Sequence, residues 1–66
     1  MQVVRDLPVW LCEIAERRQL PVDLALAEEL TELGPFETAR RACVAAPVIT
    51  SWRYRLGIKR VYVVEP

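Results

Sequence analysis

Residues 36–57 read FETARRACVAAPVITSWRYRLG, and the fold depends on where that stretch divides. Glu37 suits the positive dipole end of a helix, and Pro35 just before it suits a first helical position. Phe36 and Ala39 fall on one side, with Ala42 or Cys43 closing the turn, and Arg40 and Arg41 fall on the other. This predicts a short helix over Phe36–Ala42. Val44–Ala46 then makes a turn, and Pro47 opens a further helix. Its inward residues are Val48 or Ile49, Trp52 and Leu56, which leaves Thr50, Ser51, Arg53, Tyr54 and Arg55 outside. Gly57 stops it, because glycine takes the left-handed geometry of a helix terminus at little cost.

Two more helices are expected ahead of this stretch. Asp6 can cap the first, Pro8 is tolerated in its first turn, and Leu7, Trp10, Leu11, Ile14 and Ala15 recur at helical spacing, with Trp10 as a core anchor. Pro21 disfavours helical geometry at Leu20, so the helix ends near Gln19. The second runs from about Val22 to Leu33, with Leu26, Ala27, Leu30 and Leu33 as its apolar stripe and Glu28, Glu29 and Glu32 facing water; Gly34 and Pro35 stop it. Residues 1–34 thus read as an acidic helical hairpin, a platform for residues 35–57. The tail from 58 to 66 changes period: Val61, Tyr62, Val63 and Val64 favour a short C-terminal strand. Its partner is either the segment 2–5 or the same tail of a second copy, since an isolated strand leaves its edge unpaired. The fold class expected is mainly α, with about four short helices and one strand in a single domain.

The chain has 66 residues, of which 53% are apolar. A chain this short buries only about 60% of its unfolded surface and gains from a partner. No apolar run approaches the roughly 20 residues of a membrane span, and MQVVRD lacks the form of a signal peptide, so a cytoplasmic location without membrane contact is expected. Histidine is absent and there are two cysteines, Cys12 and Cys43; both are expected to be buried and reduced. No metal site, cofactor or catalytic residue is expected, because the chain has no histidine base, no CxxC pair, no phosphate-cradling glycine loop and little room for a pocket. An enzyme is therefore the weakest reading. Net charge is zero but divided. Residues 1–35 hold three arginines against seven carboxylates, a net of −4; residues 36–66 hold six cations against two carboxylates, a net of +4. Such a split points to a polyanion-binding face or to two charged surfaces that attract one another.

Within TARRACVAAPVITSWRYRLGI, the pattern resembles the helix-turn-helix of phage and mobile-element regulators and related homeodomain-like proteins. Ala39 stands where that family keeps a small residue for close helix crossing. Cys43 stands where glycine usually makes the turn, Val44 is the buried turn residue, and Ile49 and Trp52 are the residues holding the second helix onto the first. Cys43 lacks glycine's freedom at positive φ, which predicts either strain of roughly 1 kcal/mol or a differently shaped turn. The resemblance covers about a third of the chain. It implies a sequence-specific DNA-binding protein, a transcriptional regulator or repressor, that inserts the helix 46–56 into the major groove of double-stranded DNA.

The positions that face bases in the family are Ala46, Pro47, Thr50, Ser51 and Tyr54. Arg53 or Arg55 would reach a guanine or a phosphate, and Arg40, Arg41, Lys59 and Arg60 are candidates for phosphate clamps. Lys59–Arg60 followed by a strand resembles the wing of winged-helix excisionases, against the plainer reading of a sheet-closing or dimerising strand. A homodimer on two half-sites is expected, through the C-terminal strand or otherwise. The competing expectation is a protein-interaction module, antitoxin-like or a host-takeover factor, that uses the acidic hairpin or the terminal strand.

Overall fold

A computed structural model describes residues 7–58. It is mainly α, with three helices: α1, Val9–Arg18; α2, Val22–Ala42; and α3, Ala46–Arg55. No strand occurs among the described residues. The expected C-terminal strand, its suggested pairing with residues 2–5, and the Asp6 cap all lie outside them.

Each helix ends by the same device. Gln19 takes φ 57 and ψ 46, Cys43 takes φ 61 and ψ 40, and Gly57 takes φ 74. In each case the left-handed residue donates its N–H back three residues and the next residue donates back five: Leu20 to the Ala15 carbonyl, Val44 to Ala39, Ile58 to Arg53. This paired arrangement satisfies the last carbonyls of a helix and turns an apolar residue back beneath it. Leu20, Val44 and Ile58 are those residues, and all three pack against the core. Three-residue turns, 19–21 and 43–45, then lead into the next helix. Pro21 and Ala45 precede their helices in extended geometry.

Three helices stand where four were expected. The segments anticipated as Val22–Leu33 and Phe36–Ala42 form one element, broken at the single residue Gly34, at φ 83 and ψ 165. That conformation is open essentially to glycine alone. Pro35, well suited to a first helical position, resumes the helix at once, so no turn intervenes to separate two elements.

The core is one cluster drawn from all three helices: Leu11 and Ile14 of α1; Ala25, Leu26, Leu30 and Ala39 of α2; Ile49 of α3. Both α1 and α3 pack against α2. Trp10, Trp52 and Leu56 are half-buried against this cluster. Ala39 is 4% exposed, and its small side chain leaves room for Ile49 in the same cluster.

Three expectations about burial are overturned. Glu29 does not face water: it is 1% exposed, and its carboxylate accepts from Arg17 Nη2 at 3.0 Å and Arg18 Nε at 2.7 Å. Two arginines from α1 compensate the charge, the usual condition for burying a carboxylate. Phe36 does not face inward but is 78% exposed; placed immediately after the break at Gly34, it falls on a side of α2 that neither α1 nor α3 covers. Cys12 and Cys43 are free and exposed, Cys12 on the outer side of α1 and Cys43 in a surface turn.

Candidate nucleic-acid interface

The turn at Cys43 and the Ile49 anchor determine what α3 presents. Ile49 is 1% exposed and Ala46, Trp52 and Leu56 pack on the core from the same helix. The opposite side therefore carries Pro47, Thr50, Ser51 and Tyr54, all exposed, with Arg55 exposed beside them. These positions recur at three and four residues, one face of a helix. Ala46, expected to touch a base, is half-buried and faces the core cluster instead.

The two cations of α3 are held differently. Arg55 lies over the Trp52 ring, 4.9 Å from its centroid. Arg53, expected on the outer side, is instead half-buried; its guanidinium lies 4.8 Å over the Tyr54 ring and its Nε is buried with no hydrogen-bond partner among the described residues. Cation–π contact of this kind is worth about 0.5–1 kcal/mol at exposed sites and narrows the side chain's range. Neither arginine pairs with a carboxylate among the described residues. Sequence explains why: no Asp or Glu occurs from Thr38 to Val64.

Arg40 and Arg41 project from the last turn of α2, where cations also complement the helix dipole. Both share Glu37. Arg40 Nε and Nη2 reach its two oxygens at 3.1 and 2.8 Å, and Arg41 Nε reaches at 3.4 Å. The hydrogen bonds from Arg40, then Arg41, hold the Glu37 carboxyl below the usual carboxylate range, and Glu37 raises the Arg40 guanidinium in turn. These pairs lie at the surface, where solvent and salt screen them, so each contributes little to stability. Exchanging Glu37 for a phosphate oxygen costs little. Lys59 and Arg60 lie outside the described residues.

A second polar cluster was not legible in the sequence. Arg18 of α1 binds three carboxylates of α2: Glu29, Glu28 at 3.2 Å and Glu32 at 2.8 Å. Thr38 is fully buried beside it, its hydroxyl donating to the Glu29 carbonyl at 3.5 Å. Next to this cluster, Leu20, Leu24, Ala27 and Thr31 line an open groove of about 410 Å³, with Glu28 and Glu32 along its edge. No group of side chains suited to a metal ion occurs among the described residues, and none of their helices is long and apolar enough to cross a membrane.

Comparison with protein families, curated proteins and solved structures gives no match. The functional reading therefore rests on the geometry of α3 and its surroundings.

Proposed function

We propose that this chain is a small DNA-binding protein of the regulator type, which lays α3 in the major groove of double-stranded DNA. One observation carries the reading. A helix introduced by a left-handed turn residue, and anchored on its inner side by Ile49, presents a carboxylate-free face flanked by Arg53 and Arg55. The width of a helix suits the major groove, and a face without negative charge can approach phosphates. On this reading Arg40 and Arg41, at the other side of the Cys43 turn, would exchange Glu37 for phosphates of the adjoining backbone. The turn between α1 and α2 has the same geometry at Gln19, yet α2 exposes Asp23, Glu28 and Glu32. Phosphates repel that surface, so α3 alone is suited to the groove.

The test is fluorescence anisotropy of the whole chain with duplex DNA across a salt series. Each phosphate contact contributes about −0.9 to the slope of log K against log salt. Arg55→Ala should weaken binding and flatten the slope by about one unit. If Arg53→Ala and Arg55→Ala both leave affinity and slope unchanged, α3 is not in the interface.

A second reading rests on the groove along α2. Its apolar floor and the exposed Leu24 suit a helix docking by side chains at helical spacing, and such a protein would have no need of DNA. Absence of a gel shift at micromolar protein and low salt would favour it.

A further inference from the structure

The outer face of α3 is unusual in what it lacks. Pro47, Thr50, Ser51 and Tyr54 occupy one exposed face at spacings of three and four residues. None carries the forked donor and acceptor set by which arginine pairs with guanine, or asparagine and glutamine with adenine. The two residues that could supply a fork are drawn aside. Arg55 is held over Trp52, a residue of the core side, and Arg53 is half-buried with its guanidinium over the Tyr54 ring. Arg55 is thus held toward the core side of the helix, and the Arg53 guanidinium is engaged on one face of the Tyr54 ring. Bidentate pairs carry roughly 5- to 150-fold discrimination per base, and none of the four crest residues can form one.

What the crest does offer is apolar surface at three points: the Pro47 ring, the Thr50 methyl and the Tyr54 ring, the last 70% exposed. Tyr54 is also stiffened by the guanidinium on one face. In the major groove the complementary feature is the C5-methyl of thymine. Resting on the DNA reading above, we infer that α3 selects its sites by contact with thymine methyl groups, chiefly through Tyr54, and is otherwise tolerant of sequence. The hydroxyls of Thr50 and Ser51 serve any base or phosphate, so they add affinity without choice.

The experiment changes the DNA first and the protein second. Affinity of the whole chain is measured for a thymine-rich duplex, for the same duplex with uracil at every thymine, and for a GC-rich duplex with and without 5-methylcytosine, all at one low salt. Each methyl removed from contact should weaken binding about fourfold, and 5-methylcytosine should strengthen it. Tyr54→Ala should remove most of the difference between thymine and uracil while leaving most of the salt-dependent affinity; circular dichroism checks its fold, and Tyr54→Leu should keep more of the difference than Tyr54→Ala. Arg55→Ala should weaken every duplex alike. Equal binding of thymine and uracil duplexes overturns the inference alone, as does a random-library selection that returns an invariant guanine lost in Arg55→Ala. No binding to any duplex overturns the DNA reading and this inference together.

Discussion

Cys43 shows how much one dihedral angle carries. Its φ of 61 closes α2, sends Val44 under the core and sets the start of α3. An L-residue pays for that conformation by crowding of its Cβ against the following carbonyl, a cost on the order of 1 kcal/mol. Glycine escapes the crowding but loses more backbone freedom on folding, which offsets part of the gain. Because the Cys43 side chain is exposed, replacing it removes little packing. Cys43→Gly should therefore stabilise the fold by up to about 1 kcal/mol, read as a rise in the urea midpoint with no change in slope. A loss of stability on the same substitution would mean that the thiol makes a contact that outweighs the relief of strain. The left-handed turn at Cys43 was suggested by the helix-turn-helix resemblance, which aligns it with a glycine, whereas the burial expected from cysteine's general habit was not met.

At the scale of elements, the sequence reveals stops better than continuations. Gly34–Pro35 carries the strongest helix-ending signal in the chain, yet the same two residues also describe a one-residue break followed by an immediate restart. Local rules cannot separate the two, because proline at a first helical position serves both. Phe36 and Glu29 were misplaced for a related reason. Hydropathy says which side chains gain from burial, but which face of α2 is covered depends on α1 and α3, and Glu29 is buried because Arg17 and Arg18 arrive from another helix. The outer face of α3 was easier to read, since Ile49 and Trp52 belong to the same helix and locate its inner side directly. The break at Gly34 can be probed on its own. A Cβ there meets nothing within 4 Å, so Gly34→Ala tests backbone strain without a steric clash and should cost about 1–3 kcal/mol. A synthetic chain with D-alanine at 34, whose preferred φ is positive, should be at least as stable as the glycine form. If L-alanine is tolerated as well as D-alanine, the break is not maintained by its dihedral angles.

Over the whole molecule, charge is sorted by helix. Arg18 joins α1 to α2 through Glu28, Glu29 and Glu32, while α3 has no carboxylate at all. Acid should act on the first of these before the second. The hydrogen bond from Arg18 holds the Glu32 carboxyl below its ordinary range, and Arg40 does the same to Glu37. A carboxylate with a depressed folded-state pKa contributes stability that is fully present above its unfolded value, near 4.5, and is lost as pH falls through the folded value. The arginines keep their charge throughout. Stability should therefore be level near neutrality and begin to fall below about pH 4.5. Because Glu32 ties one helix to another and Glu37 only braces its own, Arg18→Met should lower stability at pH 7 and flatten the acid limb, whereas Glu37→Gln should change both far less. Thermal midpoints between pH 7 and pH 3 would report this, and an acid limb as steep in Arg18→Met as in the parent would place the acid-sensitive contacts elsewhere. The same protonation of Glu37 releases Arg40 and Arg41 beside the Cys43 turn. On the DNA reading proposed above, Glu37→Gln gives the same release at pH 7 and should raise affinity for duplex DNA with little change in thermal midpoint; unchanged affinity would mean that Arg40 and Arg41 do not reach phosphates.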